Sequence, residues 1–113
     1  MVRTLKKTVE FKRVYEGGRS AVSPLLVVYI SENDLGFCRF GFSVSKKVGG
    51  AVVRNKVRRR LKNIVYGNIM PAAVIGGSDI IIIARAAAAS AKYEAMRASL
   101  IKLVKKLARD KHS

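Results

Sequence analysis

The sequence predicts an α+β fold in which helices cover a sheet, and three observations lead there. The chain has 113 residues, about one domain with a single modest core. Apolar residues make up 50% of it, which argues against global disorder. The apolar pattern runs helix, two strands, helix, strand, helix, with no long repeat and no linker, so residues 1–113 read as one domain.

Taken in order, Thr8 to Glu16 reads as a short helix, with Thr8 as N-cap and Gly17-Gly18 as the stop. Phe11, Val14 and Tyr15 share one face of it. Leu25 to Ser31, LLVVYIS, is β-branched and apolar and reads as a strand. A polar turn, Glu32 to Gly36, leads to a second strand over Phe37 to Ser45. Alternation there puts Cys38, Phe40, Phe42 and Val44 on one side and Arg39, Gly41, Ser43 and Ser45 on the other. Asn68 to Ser78, with Pro71 and Gly76-Gly77, is mostly loop. Ile80 to Ala84, IIIIA, is a buried strand, and Ser90 caps a final helix with Tyr93, Met96, Leu100, Leu103, Val104 and Leu107 at helical spacing.

The second helix, opening at AVVRNKVRRRLKN, carries the strongest pattern. At 100° per residue, Val53, Val57, Leu61 and Ile64 fall within about 80° of one another, a stripe fit to pack on a sheet. Arg54, Arg58 and Lys62 form a row at i, i+4, i+8, with Asn55 and Arg59 beside it and Lys56 and Arg60 on the remaining flank.

Net charge is +16, far outside the range of about 2–8 usual for a soluble domain of this size. Nine basic residues and no carboxylate lie between Leu35 and Ser78. Arginines one helical turn apart repel, and a solvated structural helix would gain from glutamates among them. An anionic partner resolves the conflict, nucleic acid first and an acidic membrane surface second. Arginine forks bind phosphate bidentately, and each phosphate neutralised releases counterions. Asn55 offers a neutral donor and acceptor to a base edge or a 2′-hydroxyl, or else fixes a neighbouring loop. A membrane-surface helix fits less well, because the apolar stripe is narrow, lacks Trp and Phe, and is committed to the core.

Other classes recede on composition. Cys38 stands alone, so there is no internal disulfide and no cysteine–histidine zinc set. MVRTLKKTVEFKR has no apolar run behind it and is not a secretory signal, and Ile80 to Ala91 is too short to span a bilayer. A cytoplasmic protein with no membrane partner is expected. The one histidine, His112, is next to last, and the seven carboxylates show no paired or metal-cluster spacing. No protein nuclease site is visible, so any phosphodiester chemistry falls to another molecule. Arg39-Phe40-Gly41-Phe42 lacks two features of the aromatic RRM strand, and no GxxG clamp occurs.

The segment Gly41 to Lys62, GFSVSKKVGGAVVRNKVRRRLK, resembles the strand, loop and arginine-rich "RNR" helix of the protein subunit of bacterial ribonuclease P. Asp79 to Arg85, DIIIIAR, is similar to that family's following strand, and Leu5-Lys6-Lys7 with Phe11 and Tyr15 to its first helix. The resemblance implies a left-handed crossover through the RNR helix, which runs against the general rule of hand. It also implies a role in ribonuclease P: hydrolytic, endonucleolytic removal of the 5′ leader of precursor tRNA, with the RNA subunit as catalyst and Mg2+ used by that RNA. Arg54, Asn55, Arg58, Arg59 and Lys62 would then contact the catalytic RNA, supported by Lys46 and Lys47 from the loop. Arg60 stands at a position often apolar in the family and receives no role.

For the leader, the resemblance implies a cleft between the first helix and the sheet, with Phe11, Tyr15 and Tyr29 as stacking residues. Lys12 and Arg13 would steer its phosphates. Aromatic faces accept unpaired bases with little sequence choice. Phe11 is equally readable as core. Two further functional classes stay open on sequence grounds: a structural, ribosomal-type RNA-binding protein without catalytic assembly, and a self-sufficient nuclease, which the acid and histidine inventory disfavours.

Overall fold

The computed structural model describes residues 2–69 and 77–110. Its strands are β1 (Val2–Thr4), β2 (Arg19–Val22), β3 (Leu26–Glu32), β4 (Cys38–Ser43) and β5 (Ser78–Ala84). Its α-helices are α1 (Thr8–Gly17), α2 (Ala51–Ile64) and α3 (Tyr93–Asp110). A π turn, Val65–Ile69, extends α2, and a 3-10 turn, Ala86–Ser90, precedes α3.

The strands form one sheet in the order β1-β4-β5-β3-β2. β3 runs antiparallel to β5 along its whole length, from Leu26 opposite Ala84 to Glu32 opposite Ser78. β4 lies parallel to β5, with Arg39 opposite Asp79 and Ser43 opposite Ile83. Parallel neighbours need a crossover connection, and α2 sits in it. The four long predicted elements from Leu25 to Ala84 are thus present, with strand ends displaced by one or two residues.

Two strands were not anticipated, nor were the π and 3-10 turns. β1 and β2 are short edge strands that exist by pairing on β4 and β3. Two caps also differ. The extended residue before α1 is Lys7, not Thr8, because Glu10 reaches back to accept the Lys7 and Lys6 backbone N–H groups at 3.0 and 3.2 Å. Ser90 ends the 3-10 turn and α3 begins at Tyr93, so Ser90 does not cap it. Of the connector expected over Asn68 to Ser78, residues 70–76 lie outside the described residues, as does His112.

Alternation divides the sheet into two faces. Leu26, Val28, Ile30, Phe40, Ile80 and Ile82 meet Val57, Leu61 and Ile64 of α2 and Met96, Leu100, Val104 and Leu107 of α3 in the main core. Phe42 is half-buried against that core, so Cys38, Phe40, Phe42 and Val44 share a side as the alternation predicts. Burying each of α2's three core side chains contributes about 1.5–3 kcal/mol, which holds the helix on the sheet despite its charge. The other face carries a smaller cluster, Leu5, Val14 and Ile81, under α1. Gly18 follows the last residue of α1, and its N–H donates to the Val14 carbonyl at 2.8 Å. A Cβ on Gly18 would lie 2.6 Å from the Ile30 carbonyl oxygen, so the close approach of chain to sheet requires glycine.

Candidate nucleic-acid interface

α2 turns one face inward and leaves the rest to solvent. Asn55, Lys56, Arg59 and Lys62 are exposed, and Arg54, Arg58 and Arg60 half-buried. No ion pair among the described residues involves this helix; the four present join Lys12 to Glu16, Arg39 to Glu10 and Asp79, and Arg97 to Glu94. Among the described residues, then, no ion pair relieves the repulsion read from the sequence.

Individual contacts separate these cations. Arg58 Nη1 donates to Oδ1 of the exposed Asn55 at 3.0 Å. Arg54 Nε is buried with no acceptor among the described residues. Lys62 Nζ stands 5.9 Å from the centre of the Phe42 ring, within range of a cation–π contact. Arg60 differs from the others: its Nη1 donates to the Ala91 carbonyl at 3.3 Å and ties α2 to the segment before α3. Lys46 and Lys47 are exposed on a turn closed by Val48 N–H to the Ser45 carbonyl at 3.1 Å, with the Val48 side chain buried as an anchor.

The opposite face of the sheet holds Phe11, Tyr15 and Tyr29. Phe11 packs over Gly41, where a Cβ would fall 2.6 Å from its Cζ. The Phe11 and Tyr15 rings lie 6.4 Å apart, and Tyr15 meets Tyr29 edge-on at 5.0 Å and 89°. Tyr15 is 40% exposed, so the cluster opens to solvent at that ring. Burial, and then Tyr29 beside it, push the Tyr15 phenol up, which keeps it neutral at physiological pH. Beyond Tyr29 the sheet row Ser43, Ile83, Val27 and Val22 is partly open, a mixed hydroxyl and apolar floor beside α1.

The helical period sets Lys12 on the Tyr15 side of α1, paired with Glu16 at 3.8 Å. Arg13 projects to the other flank and lines a hollow of about 360 Å³ with Glu32, Asn33, Asp34, Leu35 and Arg39. Phe11, Tyr15 and Tyr29 therefore come together, whereas Arg13 stands apart from them.

One cluster escaped the sequence reading. Arg39 Nε and Nη2 donate to the two oxygens of Asp79 at 2.8 and 2.7 Å, and its Nη1 donates to Glu10 Oε2 at 2.5 Å. Asn33 Nδ2 donates to Asp79 Oδ1 at 2.6 Å. Of the nine cations in the acid-free middle of the chain, this one is compensated internally. The available signal was alternation, which places Arg39 on the α1 side of β4 with Gly41. Burial pushes the Cys38 thiol up, which makes it a poor nucleophile.

A family model for ribonuclease P matches residues 2–108. The ribonuclease P protein component of Thermoanaerobacter sp. (strain X514) is 42% identical over 102 residues, covering 90% of this chain and 86% of the relative. This chain belongs to the ribonuclease P protein family. The Clostridioides difficile (strain 630) ribonuclease P protein component is 41% identical, over 90% of this chain and 89% of its own. The RNase P protein structure from Staphylococcus aureus superposes with a TM-score of 0.81 at 34% identity, covering 90% of this chain and 92% of that one. The Thermotoga maritima RNase P protein gives 0.81 at 26% identity, covering 92% and 96%. Membership carries the coarse role, a ribonuclease P protein component of the tRNA-processing ribonucleoprotein.

Two further features bear on that role. No described helix is long and apolar enough to cross a membrane. Among the described residues no group of three acidic, histidine or cysteine side chains is placed to hold a metal ion, and Glu10 and Asp79 are both taken by Arg39.

Proposed function

We propose that this chain assists RNA-catalysed removal of the 5′ leader from precursor tRNA by holding the two RNAs together. In this reading α2 lies on the catalytic RNA subunit. Arg54, Asn55, Arg58, Arg59 and Lys62 meet its phosphates and sugars, with Lys46 and Lys47 in support. The supporting observation is the basic helix without a single ion-paired partner among the described residues, on a chain that belongs to the ribonuclease P family. Cationic side chains between two polyanions screen their repulsion and release counterions from each.

The leader takes the other side of the sheet. Its unpaired bases stack on Tyr15 and Tyr29, with Phe11 as the supporting wall and Lys12 near the phosphates; Arg13 could reach only a strand that wraps α1. The sheet thus separates two RNA contacts, the catalytic subunit at the helix layer and the substrate at the cleft. In this reading magnesium serves the RNA subunit, as the resemblance to the ribonuclease P family implies.

Reconstitution tests the reading. The purified chain is incubated with precursor tRNA and magnesium at physiological salt, with and without a ribonuclease P RNA. Cleavage at the mature 5′ end only when the RNA is present is the expected result. Cleavage without it would place the chemistry in the protein, and none in either arm would favour a structural RNA-binding role.

A further inference from the structure

We infer that Arg39 is a positioning residue for leader recognition: by gripping Glu10 it fixes where α1 sits on the sheet, and so fixes the aromatic cleft. The inference rests on the leader-cleft reading above and adds to it a residue that lies outside the stacking cluster.

The geometry assigns each atom of the network a separate task. Asp79 is 2% exposed and receives both Arg39 Nε and Nη2, with Asn33 on the same carboxylate, so the Arg39 fork is locked to β5. Of the three N–H groups left, one on Nη1 is directed across to α1, and Glu10 Oε2 accepts it. Glu10 Oε1 is occupied separately by the Lys6 and Lys7 backbone N–H groups. The carboxylate therefore closes the first turn of α1 with one oxygen and clamps the helix to the sheet with the other.

The remaining contacts of α1 with the sheet cannot do this alone. Phe11 over Gly41 and Val14 against Ile81 are apolar, and apolar contact is non-directional. Gly18 holds the far end against Ile30. Tyr15 lies five residues past Glu10, about 7.5 Å along the axis, so a shift or roll at Glu10 displaces its ring relative to Tyr29. That edge-on pair at 5.0 Å forms the exposed mouth of the cluster. A displacement of about 1 Å there is enough to spoil a pre-formed stacking site.

A purely structural salt bridge makes a different prediction, and Glu10→Gln separates the two. The amide oxygen keeps the acceptor for Lys6 and Lys7, while the amide NH2 that then faces Arg39 is a donor, so the hydrogen bond and the charge attraction to Arg39 are both lost. Arg39→Lys keeps the charge and loses the fork. Each variant is assembled with the ribonuclease P RNA, and affinities for precursor tRNA and for tRNA without a leader are measured well below the melting temperature. The expected result is a fall of roughly three- to tenfold in the precursor preference, part of what one base–aromatic stack contributes. Affinity for leaderless tRNA and for the RNA subunit stays unchanged. A lowered melting temperature with the preference intact would overturn the inference. Tyr15→Ala is the reference: if it lowers the preference while Glu10→Gln and Arg39→Lys do not, only the positioning role falls. If none of the three lowers it, the cleft reading falls with it.

Discussion

Phe11 occupies the space that a side chain on Gly41 would need, its Cζ 2.6 Å and its Cε2 2.9 Å from an ideal Cβ at that position. The contact joins α1 to β4 across the face opposite the main core. Leu5 Cβ, at 3.2 Å, closes the other direction of escape. Gly41→Ala should therefore lower stability by about 1–3 kcal/mol, as overpacking does in a filled site. Urea denaturation would show a lower midpoint with an unchanged slope, and adding Phe11→Leu should restore part of the loss. A neutral Gly41→Ala would mean that the ring is not seated as described.

Two neighbouring arginines of α2 should behave as different residues. Arg59 is exposed with no ion-pair partner among the described residues, whereas Arg60 donates to the Ala91 carbonyl. Arg59→Ala should leave stability within about 0.5 kcal/mol and flatten the salt dependence of RNA-subunit binding by about 0.7–0.9 in log–log slope. Arg60→Ala should do the reverse, costing about 1 kcal/mol of stability with little change of slope. Denaturation and a binding series in KCl measure both. Equal slopes lost at both positions would mean that Arg60 leaves Ala91 for the RNA.

The contrast shows where sequence reasoning stopped. Val57, Leu61 and Ile64 sit at a period no other structure shares, so α2 and its buried side were legible before any coordinates. β3, β4 and β5 were legible from β-branched runs and alternation. β1 and β2, three and four residues long, have too few positions to show a period and are set by the edges of β4 and β3. For the site, the cationic row was legible because charge sits in the sequence itself. The fate of each cation was not: Asp79 is 40 residues from Arg39 and Glu10 is 29, and only the strand register and the seat of α1 bring them together. Arg60 has the same difficulty, since its acceptor is a backbone carbonyl that composition does not display.

Acidification should act through Glu10. The Lys7 and then the Lys6 backbone N–H groups hold its carboxyl below its ordinary value of 4.5, and the Arg39 charge adds to them against the opposing effect of burial. A carboxyl with a folded-state pKa below its unfolded one contributes stability that is complete above the unfolded value and is lost as pH falls through the folded one. Arg39, raised chiefly by its hydrogen bond to Asp79, stays charged throughout. Urea midpoints should therefore be level near neutrality with respect to this group and decline below about pH 5. Glu10→Gln should start lower and decline less steeply. Parallel decline in both proteins would assign the acid limb to other carboxylates.

Tyr15 offers the sharpest division between ring and hydroxyl. Its ring is packed edge-on against Tyr29 and 40% exposed, and no described hydrogen bond uses its phenol oxygen. If leader bases stack on the ring, Tyr15→Phe should keep precursor binding within about twofold, because stacking needs the π-face and not the hydroxyl. Tyr15→Ala should weaken precursor binding by the roughly 1–3 kcal/mol of one base–aromatic stack while leaderless tRNA binds as before. Tyr15→Leu restores apolar area without a π-face and should fall between the two, closer to alanine. Measured in the assembled ribonucleoprotein, this order separates stacking from simple burial. A leucine variant equal to tyrosine would show that the cleft needs only an apolar wall, and a phenylalanine variant as weak as alanine would transfer recognition to the phenol.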